Sequence, residues 1–113
     1  MTLYYYLPVY KASYDLLVEI FQFTKNFSRE YKYTIGQDLK KQTTEMILNI
    51  YRANSTYTKK EIIQKARENI EVIRLLMRLL KDLKQVNIKK FVQINELIES
   101  VSKQLTKWQG VNS

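Results

Sequence analysis

Ile70-Glu71-Val72-Ile73-Arg74-Leu75-Leu76-Met77-Arg78-Leu79-Leu80-Lys81-Asp82-Leu83 holds neither glycine nor proline, and its apolar residues recur at steps of three and four. That spacing is the period of an α-helix with one face turned to a core. Followed in both directions, the pattern predicts one helix from about Lys59 to Val86. Ile62, Ala66, Ile70, Ile73, Met77 and Leu80 form its first face. Val72, Leu75, Leu76, Leu79, Leu83 and Val86 then widen the apolar arc to roughly 240° on a wheel of 100° per residue.

Outward from this helix the chain reads as three more. Pro8 can open the first, since its missing N–H would be unpaired in the first turn anyway. Val9, Ala12, Leu16, Leu17, Ile20, Phe23, Thr24 and Phe27 give that helix one stripe, ended by Asn26 and Ser28. Residues 29–33 read as a polar connector carrying two aromatics. A second helix is predicted from Thr34 to Asn54 on Ile35, Leu39, Met46, Ile47, Ile50 and Tyr51, with Gln42 and Thr43 breaking the stripe. Gly36 falls in its first turn, where the helix penalty is least felt or where it permits close packing. Thr58 with Glu61 three residues later is a capping-box pattern for the helix that follows. Asn87 can cap a fourth helix, in which Phe91, Ile94, Ile98, Val101, Leu105 and Trp108 make an unbroken seam before Gly110 closes it. The expectation is an all-α fold: one domain over residues 1–113, an antiparallel up-and-down four-helix bundle.

Composition agrees with helices and excludes much chemistry. The 113 residues include two glycines and one proline, too few for the turns of a β-rich fold. There is no histidine and no cysteine. A Cys/His zinc site, a disulfide framework, a Ser-His or Cys-His nucleophile and an imidazole base are therefore all excluded. The Glu68/Glu71 and Glu96/Glu99 pairs read most simply as solvated helix surface, so no catalytic residue, metal site or cofactor is assigned. No apolar run approaches the ~18 residues of a membrane span. The start, Met1 to Pro8, lacks the basic region and cleavage site of a signal peptide, so a cytoplasmic protein is expected.

Two features ask for partners. The over-wide apolar arc puts Leu75, Leu79 and Val86 at its edge, covered either by the fourth helix or by another chain. The tyrosine run Tyr4-Tyr5-Tyr6 is open in the same way, as an arm folded on its own bundle or as a contact to a second chain. On the other side of the third helix Lys60, Arg67, Arg74, Arg78 and Lys81 fall within about 60° of one another, interrupted by Glu71. With 19 Lys+Arg against 11 Asp+Glu, a net +8, that ridge can be a polyanion site contacting phosphates. It can also be an ordinary solvated face, with Glu71 and Asp82 pairing to its arginines. Nothing in the sequence suggests base-specific reading.

Three stretches carry a resemblance: Tyr33-Thr34-Ile35-Gly36-Gln37-Asp38-Leu39, Ile50-Tyr51-Arg52-Ala53-Asn54, and Ile73 to Leu83. They resemble the accessory variability protein (Avd) family of diversity-generating retroelements. That family is similar in turn to four-helix-bundle proteins encoded in intervening sequences of bacterial 23S rRNA genes. The resemblance runs from Leu7 to Trp108. It implies a small basic protein that assembles into a ring-like homo-oligomer, a pentamer, and associates with a reverse transcriptase. It also implies binding of nucleic acid, the structured template RNA, during mutagenic cDNA synthesis, without catalysis of its own. Arg74, Arg78 and Lys81 match basic positions of the family's third-helix pattern, and the acidic Glu71 departs from a continuous ridge. The alternatives are a protein of the 23S intervening-sequence type or a purely structural protein-interaction oligomer.

Overall fold

Pro8 does open the first long helix. In the computed structural model, which describes residues 3–112, the helices are α1 (Pro8–Thr24), the single turn α2 (Arg29–Lys32), α3 (Ile35–Asn54), α4 (Lys59–Asp82) and α5 (Ile88–Val111), preceded by a 3-10 turn, Tyr4–Tyr6. Residues 1, 2 and 113, which the sequence reading placed in the same domain, lie outside those described. Connections of a few residues fold the four long helices into a bundle 42 Å long and about 22 Å across. A helix of 24 residues at 1.5 Å per residue spans about that length.

α1 packs on α3 and α5, and α4 packs on α3 and α5, so α1 and α4 face each other across the core. The core is the predicted one in most of its members. Leu16, Ile20, Leu39, Met46, Ile50, Ile70, Ile73, Leu80, Ile94, Ile98, Val101 and Leu105 are all buried. In α4 the first turn differs: Ile63 is buried and Ile62 lies at the rim. On the wheel Ile63 falls nearer the middle of the arc set by Ala66, Ile70 and Met77.

The polar break in α3 is part of the packing. Thr43 is buried and its hydroxyl donates to the Leu39 carbonyl at 2.6 Å. Gln42 accepts from the buried Asn69 of α4, which in turn accepts from Asn49, both at 2.9 Å. Three amides thereby fix how α3 and α4 sit on each other, because sliding either helix would leave buried polar groups unpaired.

Helix ends differ from the sequence reading in four places. α1 stops at Thr24 rather than Phe27, with the Thr24 hydroxyl donating to the Ile20 carbonyl at 2.8 Å. Phe27 still packs on the core, edge-to-face with Phe23. α4 stops at Asp82, four residues before the predicted Val86. Lys84 takes a left-handed φ of 60°, and Gln85 N–H reaches the Leu80 carbonyl at 2.8 Å while Lys84 N–H reaches that of Lys81. This is a Schellman closure with lysine where glycine is usual. The Thr58–Glu61 capping box does not form, since the Thr58 side chain makes no cap bond. Gly110 lies inside α5 and does not end it, having no positive φ. The Asn87 cap does form, its Oδ1 accepting from Lys90 N–H at 2.8 Å.

Gly36 is present for close packing. A Cβ there would stand 3.0 Å from the Tyr31 carbonyl oxygen and 3.3 Å from the Phe27 ring. The Arg29–Lys32 turn, read as a connector, lies tight across the start of α3 at that point.

Candidate nucleic-acid interface

The basic ridge runs along the seam between α4 and α5. Arg67, Arg74 and Lys81 are seven residues apart, so two helical turns bring each to the same side. Each meets a residue of α5. Arg67 donates to the Gln109 side chain, and Lys81 lies 4.9 Å over the Phe91 ring. Arg74 donates to Glu99 and, on its own helix, to Glu71. Lys60 contributes its carbonyl to Gln109, which leaves its side chain exposed. Arg78 is the freest of the three ridge arginines: its side chain is 72% exposed and only a 3.5 Å contact ties it to Asp82.

Glu71 therefore does what the interrupted pattern suggested it could, offsetting Arg74 from within the ridge. Its hydrogen bond is the largest influence holding the Arg74 guanidinium above the usual arginine range. Partial burial works against it, and the bond to Glu99 and the charge of both carboxylates add to it. Arg74 stays charged at any ordinary pH, with much of its field cancelled locally.

Between these side chains lies a shallow groove of about 380 Å³, lined by Glu71, Arg74, Leu75, Arg78, Phe91 and Asn95. An aromatic floor with cationic walls suits a phosphate and its attached sugar or base. The basic surface also continues beyond the predicted five. Lys89, Lys103 and Lys107 are exposed and share one outward face of α5 within about 40° on the wheel, with the exposed Glu96 among them. Lys89 and Lys90 are neighbours in sequence, but the structure divides them. Lys90 turns inward to Glu19 of α1 at 2.7 Å, while Lys89 stays exposed. The spacing of 89, 103 and 107 was the available signal for the missed set.

The predicted contact residues for a second chain divide as well. Leu75 and Leu79 are exposed, together with Val72 and Leu83, whereas Val86 packs partly on the bundle's own core. The Tyr4-Tyr5-Tyr6 run folds onto its own bundle. Tyr4 meets Tyr10 at 5.0 Å and Tyr51 at 4.9 Å, both edge-on, with Tyr5 and Tyr6 left exposed.

Among the described residues, no group of three or more acidic side chains is placed to hold a metal ion. No helix of the described residues is long and apolar enough to cross a membrane. The family model described as bAvd-like matches residues 8–111, the whole of the four long helices and their connections. The chain belongs to the bAvd-like family. The family membership read from residues 7–108 thus rests on a match over nearly the same span. No curated protein matches the chain. Within this bAvd-like bundle, the α4/α5 seam gathers all five predicted cations on one side.

Proposed function

We propose that this bAvd-like protein is a non-catalytic accessory subunit of a diversity-generating retroelement. It acts in the cytoplasm as an antiparallel four-helix bundle assembled into a homopentameric ring. It docks on the reverse transcriptase and holds structured template RNA, or DNA, by phosphate contacts during mutagenic cDNA synthesis. The observation that carries the nucleic-acid part is the placement of Lys60, Arg67, Arg74, Arg78 and Lys81 along one seam, extended by Lys89, Lys103 and Lys107. Three of the ridge residues are arginine, whose planar fork grips phosphate oxygens in pairs.

Antiparallel packing is supported by the order of cross-helix contacts. Moving from Arg74 back to Arg67 on α4 moves the partner forward on α5, from Glu99 to Gln109. Likewise Glu19 meets Lys90, while Pro8 shares a groove with Trp108. Oligomerisation is supported by the exposed leucines of α4. The non-catalytic reading is supported by the absence of histidine and cysteine from the sequence.

Salt dependence of RNA binding is the test. Log affinity for structured RNA should fall linearly with log salt, with a slope of several units if several phosphates are neutralised. The Arg67/Arg74/Arg78→Ala variant should bind more weakly and with a shallower slope. Wild-type binding of RNA and reverse transcriptase by that variant would remove the ridge from the function. Light scattering on the purified chain tests the pentamer.

A further inference from the structure

The face between α1 and α3 carries aromatic rings where the α4/α5 seam carries arginines. Tyr51 meets Tyr4 and Tyr4 meets Tyr10, both edge-on, and Tyr14 lies nearly parallel to Tyr10 at 25°. Grooves beside these rings share Tyr14, Leu17 and Phe21 and so run into one trough. Tyr14, Phe21 and Tyr51 are between 45% and 49% exposed, and Val18 and Leu48 line the trough as exposed aliphatics. From Tyr10 to Phe21 it follows α1 for about 16 Å at 1.5 Å per residue. At the Phe21 end the wall is basic. The Lys40 ammonium lies 5.6 Å from the Phe21 ring centre, and Lys41 lines the same groove. Lys25 stands exposed one turn beyond Phe21 on α1. Among the described residues, none of these three lysines has a carboxylate partner. Glu45 is the one acid lining the trough, and Asp15 on the outer side of α1 is 3.8 Å from Lys11.

An apolar partner seated here would take Lys25, Lys40 and Lys41 out of water with no counter-charge, which opposes association. A strand with unpaired bases offers each ring a flat face and each lysine a phosphate. In a duplex the base faces are covered by their neighbours, so unpaired nucleotides are the ones that fit. Gln37 lines the groove beside Phe21, exposed and without a hydrogen bond among the described residues. Its amide can both donate to and accept from a ribose 2′-hydroxyl. We infer that the α1/α3 trough binds a single-stranded stretch of RNA. Its bases stack on Tyr14, Phe21 and Tyr51, and its phosphates meet Lys25, Lys40 and Lys41. At ~3.4 Å per stacked nucleotide the trough holds about five. This extends the nucleic-acid reading above to a second face and does not depend on the ridge. α1 and α4 lie across the core from each other, so the two surfaces stand on different sides of the bundle. The ridge grips phosphates whether or not the bases are paired, whereas the trough takes only those that are free.

Fluorescence anisotropy tests it with a labelled oligouridylate of about 12 nucleotides, alone and paired with oligoadenylate. The full-length Tyr14→Leu/Phe21→Leu variant keeps apolar bulk and removes both rings. Both side chains are exposed, so helicity by circular dichroism should match wild type. Single Tyr14→Leu and Phe21→Leu variants repeat the test if the pair loses helicity. The double variant should bind the single strand about tenfold more weakly and the duplex within about twofold of wild type. Tyr14→Phe keeps its ring and should bind as wild type does. Lys40→Gln/Lys41→Gln should reduce the single-strand slope of log affinity against log salt by about 1.4. Unchanged single-strand binding by the leucine variant would overturn the inference, whatever the ridge variant does. An equal loss on duplex would overturn the preference for unpaired bases, and equal affinity for oligodeoxyuridylate the assignment to RNA. Phe21→Glu should keep the wild-type mass by light scattering; a lower mass would make the face a contact between copies and overturn it too. A wild type that binds neither strand nor duplex would remove the nucleic-acid reading itself, which the trough variants alone cannot do.

Discussion

The Arg74 guanidinium ties α4 to α5 by donating twice to one carboxylate oxygen of Glu99, at 2.6 and 3.1 Å. The pair is about a third to a half exposed, so its contribution to stability is at most ~1 kcal/mol. Its larger effect is on the surface field. Arg78, one turn away, has only a distant carboxylate and is open to solvent. Arg78→Ala should therefore reduce the slope of log RNA affinity against log salt by about one unit, and Arg74→Ala by less. Glu99→Gln should tighten RNA binding, because it leaves Arg74 with Glu71 alone. Filter binding or fluorescence anisotropy across a salt series measures all three. Equal losses in the two alanine variants would contradict this ranking.

Gly36 sets a second expectation. Replacing an exposed helical glycine with alanine ordinarily stabilises by about 1 kcal/mol. At this position the new methyl would stand 3.0 Å from the backbone oxygen of Tyr31, which cannot swing aside as a side chain could. Overpacking of this kind costs about 1–3 kcal/mol. Gly36→Ala should thus lower the midpoint of urea unfolding despite its better helix propensity. A raised midpoint would show that the Arg29–Lys32 turn gives way.

How much of this bundle could be read beforehand follows from where each signal lies. Core positions such as Ile94, Ile98, Val101 and Leu105 were legible because burial of a helix face repeats with the helix period itself. Helix ends were less so. The end of α4 depends on Lys84 adopting φ of 60°, a conformation that composition assigns to glycine or asparagine. Gln42 and Thr43 looked like breaks because their partners lie on another helix or within a turn, invisible to a one-helix pattern. The ridge was legible as a set of like charges on one wheel. Its neutralisation by Glu99 was not, since that carboxylate arrives from α5, 25 residues along the chain.

Lys59, the first residue of α4, caps the end of α3. Its ammonium donates to the carbonyls of Thr56 at 2.7 Å, Ala53 at 3.0 Å and Asn54 at 3.3 Å. Two of those oxygens belong to the last turn of α3, where a cation satisfies both the free carbonyls and the negative end of the helix dipole. Lys59→Met keeps the stem and removes the charge, and should cost roughly 1 kcal/mol. Thr58→Ala should cost less than about 0.5 kcal/mol, since the hydroxyl caps nothing in α4. Asn87→Ala should cost about 1 kcal/mol through the loss of a cap that does form. Thermal or chemical unfolding orders the three, and a Thr58→Ala loss matching that of Asn87→Ala would restore the capping box.

The response to pH should be flat near neutrality and steep in alkali. The sequence holds no histidine or cysteine, the side chains whose ordinary pKa values fall between about 6 and 9. Tyr10 is the phenol that moves. Burial lifts its phenol above the ordinary value, and repulsion from Tyr4 and Tyr14 in their ionised forms lifts it further. The folded chain then holds the Tyr10 proton more tightly than the unfolded chain does. Stability from this source is whole below the unfolded phenol pKa of about 10, and is lost as pH rises through the higher folded value. Urea midpoints should accordingly hold steady from about pH 6 to 9 and fall above about pH 10. Tyr10→Phe should soften that fall, with Tyr57→Phe at an exposed position as the control. If Tyr10→Phe declines as steeply as wild type, the alkaline loss comes from some other group, and the packing of Tyr4 against Tyr10 does not govern it.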